Sequence, residues 1–346
     1  MPAVDRLRRT VAALCSPATA GRGAGTTEGA AARVLVATAF ADLALQPRGE
    51  HGYLQLVPAM AGANLLGAIP GDAPGWIVLA AHYDHLGTID DEVYPGADDN
   101  AAGVAVLLEV AHRLATAAHH GRSILISAYD AEEPPWFDTP DMGSRWWVDH
   151  PTVPLTAIDL MVCLDLVGHS IGPPGSPAPV ANTVFVAGAD LAPGLANSVR
   201  VATVAGIVPR PIADWVEDPM SDHLAFRGAG IPHLFYTCAR SAGYHTPRDR
   251  PELLDYDKLA ALADHLTAMI TAACVAAPGS WSFDRMGADD TATIDTMLAL
   301  VDAVPDHDLI ADAVAHLKGM RRGDRLDDDD RYWVRALVAA VESLLG

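Results

Sequence analysis

Four cysteines in 346 residues, Cys15, Cys163, Cys238 and Cys274, stand too far apart for any CxxC pair. Their scarcity excludes a thiolate zinc site and a disulfide-dense scaffold. Basic residues are few: 23 Lys and Arg face 44 Asp and Glu, a formal net charge of −21. Such a surface repels phosphate backbones and anionic lipid, so neither nucleic-acid nor membrane binding is expected. It is permissive for a cationic ligand such as a free amino terminus. No apolar run approaches the roughly 20 residues that span a bilayer. The opening MPAVDRLRRTVAAL carries charges where a secretory signal needs an apolar core. The expectation is a cytoplasmic protein, with export through a processed signal as the alternative.

What is present is a globular composition, half of it hydrophobic. Residues 4–14 and 29–45 read as helices. Strand-like segments fall at 53–57, 64–69, 76–82, 123–130, 157–165, 183–188 and 233–237. Between them, helical spacing marks AAGVAVLLEVAHRLATA after Asn100, LAPGLANSVRVATVAG, and about 256–276. Alternating strands and helices predict an α/β fold: a mostly parallel central sheet with helices on both faces. Residues 1–278 would form this catalytic domain. Residues 279–346 contain no strand pattern and read as a small helical extension around the acidic loop LDDDDRY.

Acidic residues and histidines recur where the apolar strands end. His82, Asp84 and His85 follow WIVLAA; Asp98 and Asp99 precede Asn100; Glu132 and Glu133 follow SILISAYD; Asp165 ends MVCLD; His245 follows HLFYT. The carboxyl ends of strands in open α/β sheets form the ligand crevice. One such residue would be a cap or a solvated loop charge, but five recurrences are better explained as a shared site. His and carboxylate oxygens are the usual zinc ligands where cysteine is absent, and they also accept Co²⁺ or Mn²⁺. Without metal, so many crowded carboxylates would repel one another and take up protons. Two ions about 3.5–4 Å apart would share one carboxylate and one water, and would lower that water's pKa toward about 7. Neighbouring residues on extended chain point in different directions. In Glu132–Glu133 one carboxylate can therefore bind metal while the other faces the water.

The ordered motifs AAHYDHLG, YPGADDNAAG, AYDAEE, CLDLVG, SDHLAF and YHTPRD resemble those of the bacterial di-zinc leucyl aminopeptidase superfamily. That group also contains glutamate carboxypeptidases, glutaminyl cyclases and the catalytically silent transferrin receptor. The likeness runs from about Leu14, through CSPATAGRGAGT, to about Ala276. It implies a zinc-exopeptidase (phosphorylase/hydrolase-like) fold and two Zn²⁺ ions. By resemblance, His82 and Asp165 would bind one zinc, Glu133 and His245 the other, and Asp99 would bridge them. Asp98 would be loop structure or a support behind the ligands. Glu132 would be the general base, Asp84 would orient His82, and Tyr244 would hydrogen-bond the developing oxyanion.

The expected substrate is a peptide or aminoacyl compound, cleaved at a bond next to a free amino terminus. A glutaminyl-cyclase-like cyclotransferase and a carboxypeptidase are the enzymatic alternatives, with Arg210 and Arg240 as candidate cations for a terminal carboxylate. A non-catalytic binding module is the remaining one. His85 reads as non-ligating, because its HxxH spacing with His82 follows a strand and not a helix. His119–His120 read as a helix end, where cations are favourable. Asp222–His223 read as a helix start capped by Ser221, Cys163 as core, and Trp136, Trp146 and Trp147 as pocket wall or packing. The insertion PPWFDTPDMGS after the Glu pair is expected to border the pocket.

Overall fold

The computed structural model describes residues 1–118, 121–216, 220–287, 289–303, 308–320 and 325–345. The expected helix end at His119–His120 lies outside them.

The strands are β1 (Gln46–Pro47), β2 (Leu54–Val57), β3 (Gly62–Ile69), β4 (Trp76–His82), β5 (Thr88–Ile89), β6 (Glu92–Val93), β7 (Ser123–Tyr129), β8 (Ile158–Leu164), β9 (Thr183–Ala187), β10 (Val208–Pro211) and β11 (His233–Thr237). β5 and β6 pair only with each other. The remaining strands form one sheet in the order β1-β3-β7-β4-β8-β11-β9-β10, with β2 also on β3. Its middle, β7-β4-β8-β11, is parallel as expected. The flanks are mixed: β3 runs antiparallel to β7, and β9 antiparallel to β11.

Period-2 geometry sends alternate side chains to opposite faces. In β4, Ile77, Leu79 and Ala81 enter one core while Val78 and Ala80 enter the other. Both faces are buried, which is why these strands read as continuous apolar runs. Helices Ala3–Leu14, Thr27–Asp42, Gly103–Thr116 and Tyr256–Cys274 contribute buried residues to the first core. Two begin with the caps their sequences offer: Thr26 accepts from Gly29 N–H, and Asp255 accepts from Lys258 N–H. The second core takes Trp147 and Phe226. It also takes Ile294, Met297, Leu317, Met320 and Val334 from the carboxyl-terminal helices, and Leu326 from just before the last of them. These described residues beyond 278 thus pack onto the sheet layer through a shared core.

Two local expectations change, and one strand appears where none was expected. Helix 191–206 shrinks to Leu195–Arg200, starting after Gly194 in a left-handed conformation. β10 was hidden by Pro209 and Pro211; it tolerates them because it is an edge strand. LDDDDRY is not a loop. Asp328, Asp329 and Asp330 form the first turn of helix Asp328–Leu345, where carboxylates complement the helix dipole. Among the described residues no helix is long and apolar enough to cross a membrane.

Candidate active site

Because β4, β7, β8 and β11 run parallel, their carboxyl ends share one edge of the sheet. His82 is the last residue of β4, Glu132 and Glu133 follow β7, Asp165 follows β8, and His245 lies in the segment after β11. Asp99 arrives in the wound turn Ala97–Ala102, ahead of a helix whose Gly103 N–H is capped by Asn100 Oδ1. Left-handed backbone at Ala131, Leu166 and His245 turns the chain beside these side chains. Such values in residues other than glycine persist only where the surroundings enforce them.

The expected residues converge. Asp99 Oδ1 lies 3.5 Å from His82 Nε2, and Asp165 Oδ1 lies 3.4 Å from the same nitrogen. The other oxygen of Asp99 lies 3.2 Å from His245 Nε2, which is also 3.1 Å from Glu133 Oε2. Asp99 therefore faces two separate His/carboxylate groups with its two oxygens. Glu132 Oε2 stands 3.7 Å from His82 Nε2. His82, Asp99, Glu132, Glu133 and Asp165 are all buried, whereas the His245 side chain is 28% exposed and marks the open side. The Tyr244 ring stacks on His245 at 3.8 Å, and the Arg240 guanidinium lies over Tyr244.

Charge is the outstanding feature. Among the described residues no lysine or arginine forms an ion pair with the side chains of Asp99, Glu132, Glu133 or Asp165. Burial pushes the Glu132 carboxyl well up; His82 opposes this, while Asp165 and Glu133 add to it. Burial likewise raises Asp165, to about 6, against the pull of His82. Burial would raise Glu133 too, but the His245 and His85 imidazoles outweigh it and bring the carboxyl down to about 2. Burial would lower His245, yet Asp99 and Glu133 lift it to about 9. His82 and His245 are thus drawn toward their cationic form by carboxylates that, among the described residues, pair with no lysine or arginine.

These residues fit a metal. His82 Nδ1 and Nε2, Glu132 Oε1, Asp165 Oδ1 and His245 Nε2 are buried without hydrogen bonds, a state native proteins rarely leave unfilled. The ligand atoms of His82, Asp99 and Asp165 lie within 4.8 Å of one another, as do those of His85, Asp99 and Glu133.

Behind these residues stand Asp84 and Asp98, both expected from the sequence, and Arg22 and Asp249, which were not. Asp84 sits 3.5 Å from His82 Nδ1, but its firmer contacts are the backbone N–H groups of Glu132 and Glu133, one on each oxygen. Asp249 accepts from the N–H groups of Asp98 and Asp99. The Asp98 carboxylate turns away to Gly168 N–H and His169 Nδ1. Arg22 is fully buried and donates to the carbonyls of Leu14, Tyr83, Pro95, Gly96 and Asp99, tying two site loops together. Its only signal was a place in the glycine-rich CSPATAGRGAGT, and that of Asp249 a place in YHTPRD.

His85 is 1% exposed, and its Nδ1 lies 2.7 Å from Glu133 Oε1. Both Asp222 oxygens are buried without hydrogen bonds, and burial raises the carboxyl to about 7. The helix after it starts at His223 with no side-chain cap, so Ser221 does not play that part. Trp147 is core, stacked on Phe226, and Cys163 is buried. Trp136 and Trp146 border Val57, Met60 and Ala131, beside the Glu pair. Arg210 is buried on Thr183 and the Pro179 carbonyl, far from the role of a carboxylate receptor.

The model of peptidase family M28 matches residues 64–270. The uncharacterised Escherichia coli protein YfbL is 30% identical over 223 residues, 58% of this chain and 68% of that protein. Aminopeptidase YwaD of Bacillus subtilis is 28% identical over 57% of this chain but only 41% of its own length. Among solved structures, the Legionella pneumophila LapA aminopeptidase superimposes with a TM-score of 0.62 at 20% identity, covering 78% of this chain and 72% of its own. Porphyromonas gingivalis glutaminyl cyclase gives 0.60 at 21% identity, over 77% of this chain and 97% of its own. A Zn-dependent exopeptidase from Parabacteroides distasonis gives 0.61 at 20%, over 78% and 97%. With more than half of its length matched by the family model, the chain belongs to peptidase family M28, and its fold is that of the zinc exopeptidases.

Proposed function

We propose that the chain is a two-zinc aminopeptidase that hydrolyses the peptide bond next to a free amino terminus. The observation that carries this reading is Asp99, whose two oxygens face different His/carboxylate groups in a buried cluster lacking fixed cations. His82 and Asp165 would hold one zinc with Asp99 Oδ1; His245 and Glu133 would hold the other with Asp99 Oδ2. Bound there, the pair would supply Lewis acidity and lower the pKa of a shared water toward about 7.

The chain's own groups do the rest. Glu132, pushed up by burial, takes a proton from the attacking water as its oxygen bonds to the carbonyl carbon. When the C–N bond breaks, Glu132 returns that proton to the leaving amine. Asp84 fixes the directions of the Glu pair by accepting both backbone N–H groups. Burial, with Asp99 and Glu133 nearby, keeps the Tyr244 hydroxyl protonated, so it can donate to the oxygen that gains charge.

Metal analysis with a panel of aminoacyl-nitroanilides, with and without chelator, tests this. Two zincs per chain and release of apolar aminoacyl groups, abolished by chelation, are expected. One zinc with cyclisation of glutaminyl peptides would replace it with the cyclase reading. One observation favours a carboxypeptidase as second reading: exposed Arg240, over Tyr244, has no ion pair among the described residues. Cleavage of amino-blocked peptides bearing a free carboxylate, in preference to nitroanilides, would move the assignment there.

A further inference from the structure

Glu133 uses its two oxygens differently. Oε2 faces His245 Nε2 at 3.1 Å, on the side of the proposed metal position. Oε1 lies 2.7 Å from His85 Nδ1, the shortest polar contact in the cluster. A carboxylate accepts and cannot donate, so Nδ1 carries the hydrogen of this bond. The His85 Nε2 is buried without a hydrogen-bond partner.

The ring itself is held in place. Its backbone N–H donates to the Arg22 carbonyl, and its edge meets His245 at 5.9 Å between centroids. The ring also lies flush on Gly96, where a Cβ would come within 2.4 Å of the imidazole. Gly96 has φ of +59°, so both the conformation and the close approach favour glycine there. A fully buried imidazole whose one side-chain hydrogen bond falls on a candidate ligand orients that ligand; the same Nδ1 lies a longer 3.8 Å from Asp99 Oδ2. As a fourth protein ligand beside Asp99, Glu133 and His245, it would close the coordination as in structural zinc sites, leaving no place for substrate.

We propose that His85 is a positioning residue: it holds Glu133 through Oε1, leaves Oε2 for the metal, and so sets the zinc affinity of the His245 position. This rests on the two-zinc reading above. Partners behind metal ligands typically contribute about 10–100-fold in affinity.

The test is zinc titration against a competing chelator for wild type, His85→Leu and His85→Asn, with melting temperatures of the metal-free proteins. In His85→Leu one of two equivalents should weaken about 10–100-fold, with the other unchanged. His85→Asn can place an amide N–H where Nδ1–H stands, and should recover most of that loss. Unchanged binding in His85→Leu overturns the proposal. So does an Asn variant as weak as the Leu one, which would make the imidazole itself a ligand. Should His85→Leu not fold, His85→Gln replaces it, since its amide nitrogen reaches the Nε2 position instead; equal affinity of the Gln and Asn variants then overturns the proposal. A wild type that binds fewer than two zincs brings down the underlying reading, a result distinct from either.

Discussion

Two buried His/carboxylate clusters in this molecule have similar composition and opposite electrostatics. Asp214, His223 and His233 bring ligand-type atoms within 4.8 Å of one another, just as His82, Asp99 and Asp165 do. In the first group, though, Asp214 faces Arg227 at 2.7 Å and His233 at 2.9 Å. Burial would raise the Asp214 carboxyl, but His233 and Arg227 prevail and hold it below the usual range. Burial keeps His223 neutral. A guanidinium already balances the one carboxylate, so nothing calls for a further cation. In the candidate active-site cluster four carboxylates pair with no lysine or arginine among the described residues, and protons are drawn onto His82 and His245. Donor types within reach of one another are therefore insufficient evidence of a metal site. Uncompensated charge is what separates the two.

The largest effect should come from Glu132→Gln, which removes proton transfer but leaves the donor set intact. Turnover should fall about 10²–10⁴-fold with zinc content unchanged; parallel loss of metal and activity would instead make Glu132 a ligand. In the second cluster, Arg227→Met should leave Asp214 buried without its counter-charge. The cost should be about 1–3 kcal/mol, reduced because the Arg227 side chain is 35% exposed. Further zinc added to the zinc-loaded variant should then bind with one equivalent more than in wild type and raise its melting temperature, whereas the zinc-loaded wild type should show neither change. If the variant takes up no extra metal, charge compensation is not what distinguishes the clusters. The smallest effect concerns acid. With its folded pKa depressed, Asp214 contributes stability that is present above its unfolded value of about 3.9 and is lost as pH falls through the folded one. Denaturant unfolding between pH 2.5 and 6 should show a shallower acid limb in Asp214→Asn than in wild type.

Much of the site was visible in the chain as written, because each donor follows an apolar run and parallel strands present their carboxyl ends together. His82, Asp99, Glu132, Glu133, Asp165 and His245 could be gathered on that basis and do meet. Two of the supports could not. Arg22 acts on the carbonyls of Tyr83, Gly96 and Asp99, and Asp249 on the N–H groups of Asp98 and Asp99. Backbone atoms carry no residue-specific signature, so nothing in the sequence announces such a partner. His85 was set aside on its spacing from His82, whereas its contact is with Glu133, 48 positions away. The edge strand β10 carries two prolines, and local pattern cannot tell such a strand from a loop.

By itself the sequence determined the alternation of apolar strands and amphipathic helices, the absence of thiolate chemistry, and the run of acids and histidines at strand ends. Each follows from neighbours in the chain, through residue periodicity and composition. Only the tertiary structure decided which of two similar polar clusters lacks a counter-charge, which way Glu133 turns each oxygen, and which arginines are tied to the backbone. Electrostatic energy depends on distances between groups far apart in sequence, and those distances exist only once the sheet has brought the strand ends together.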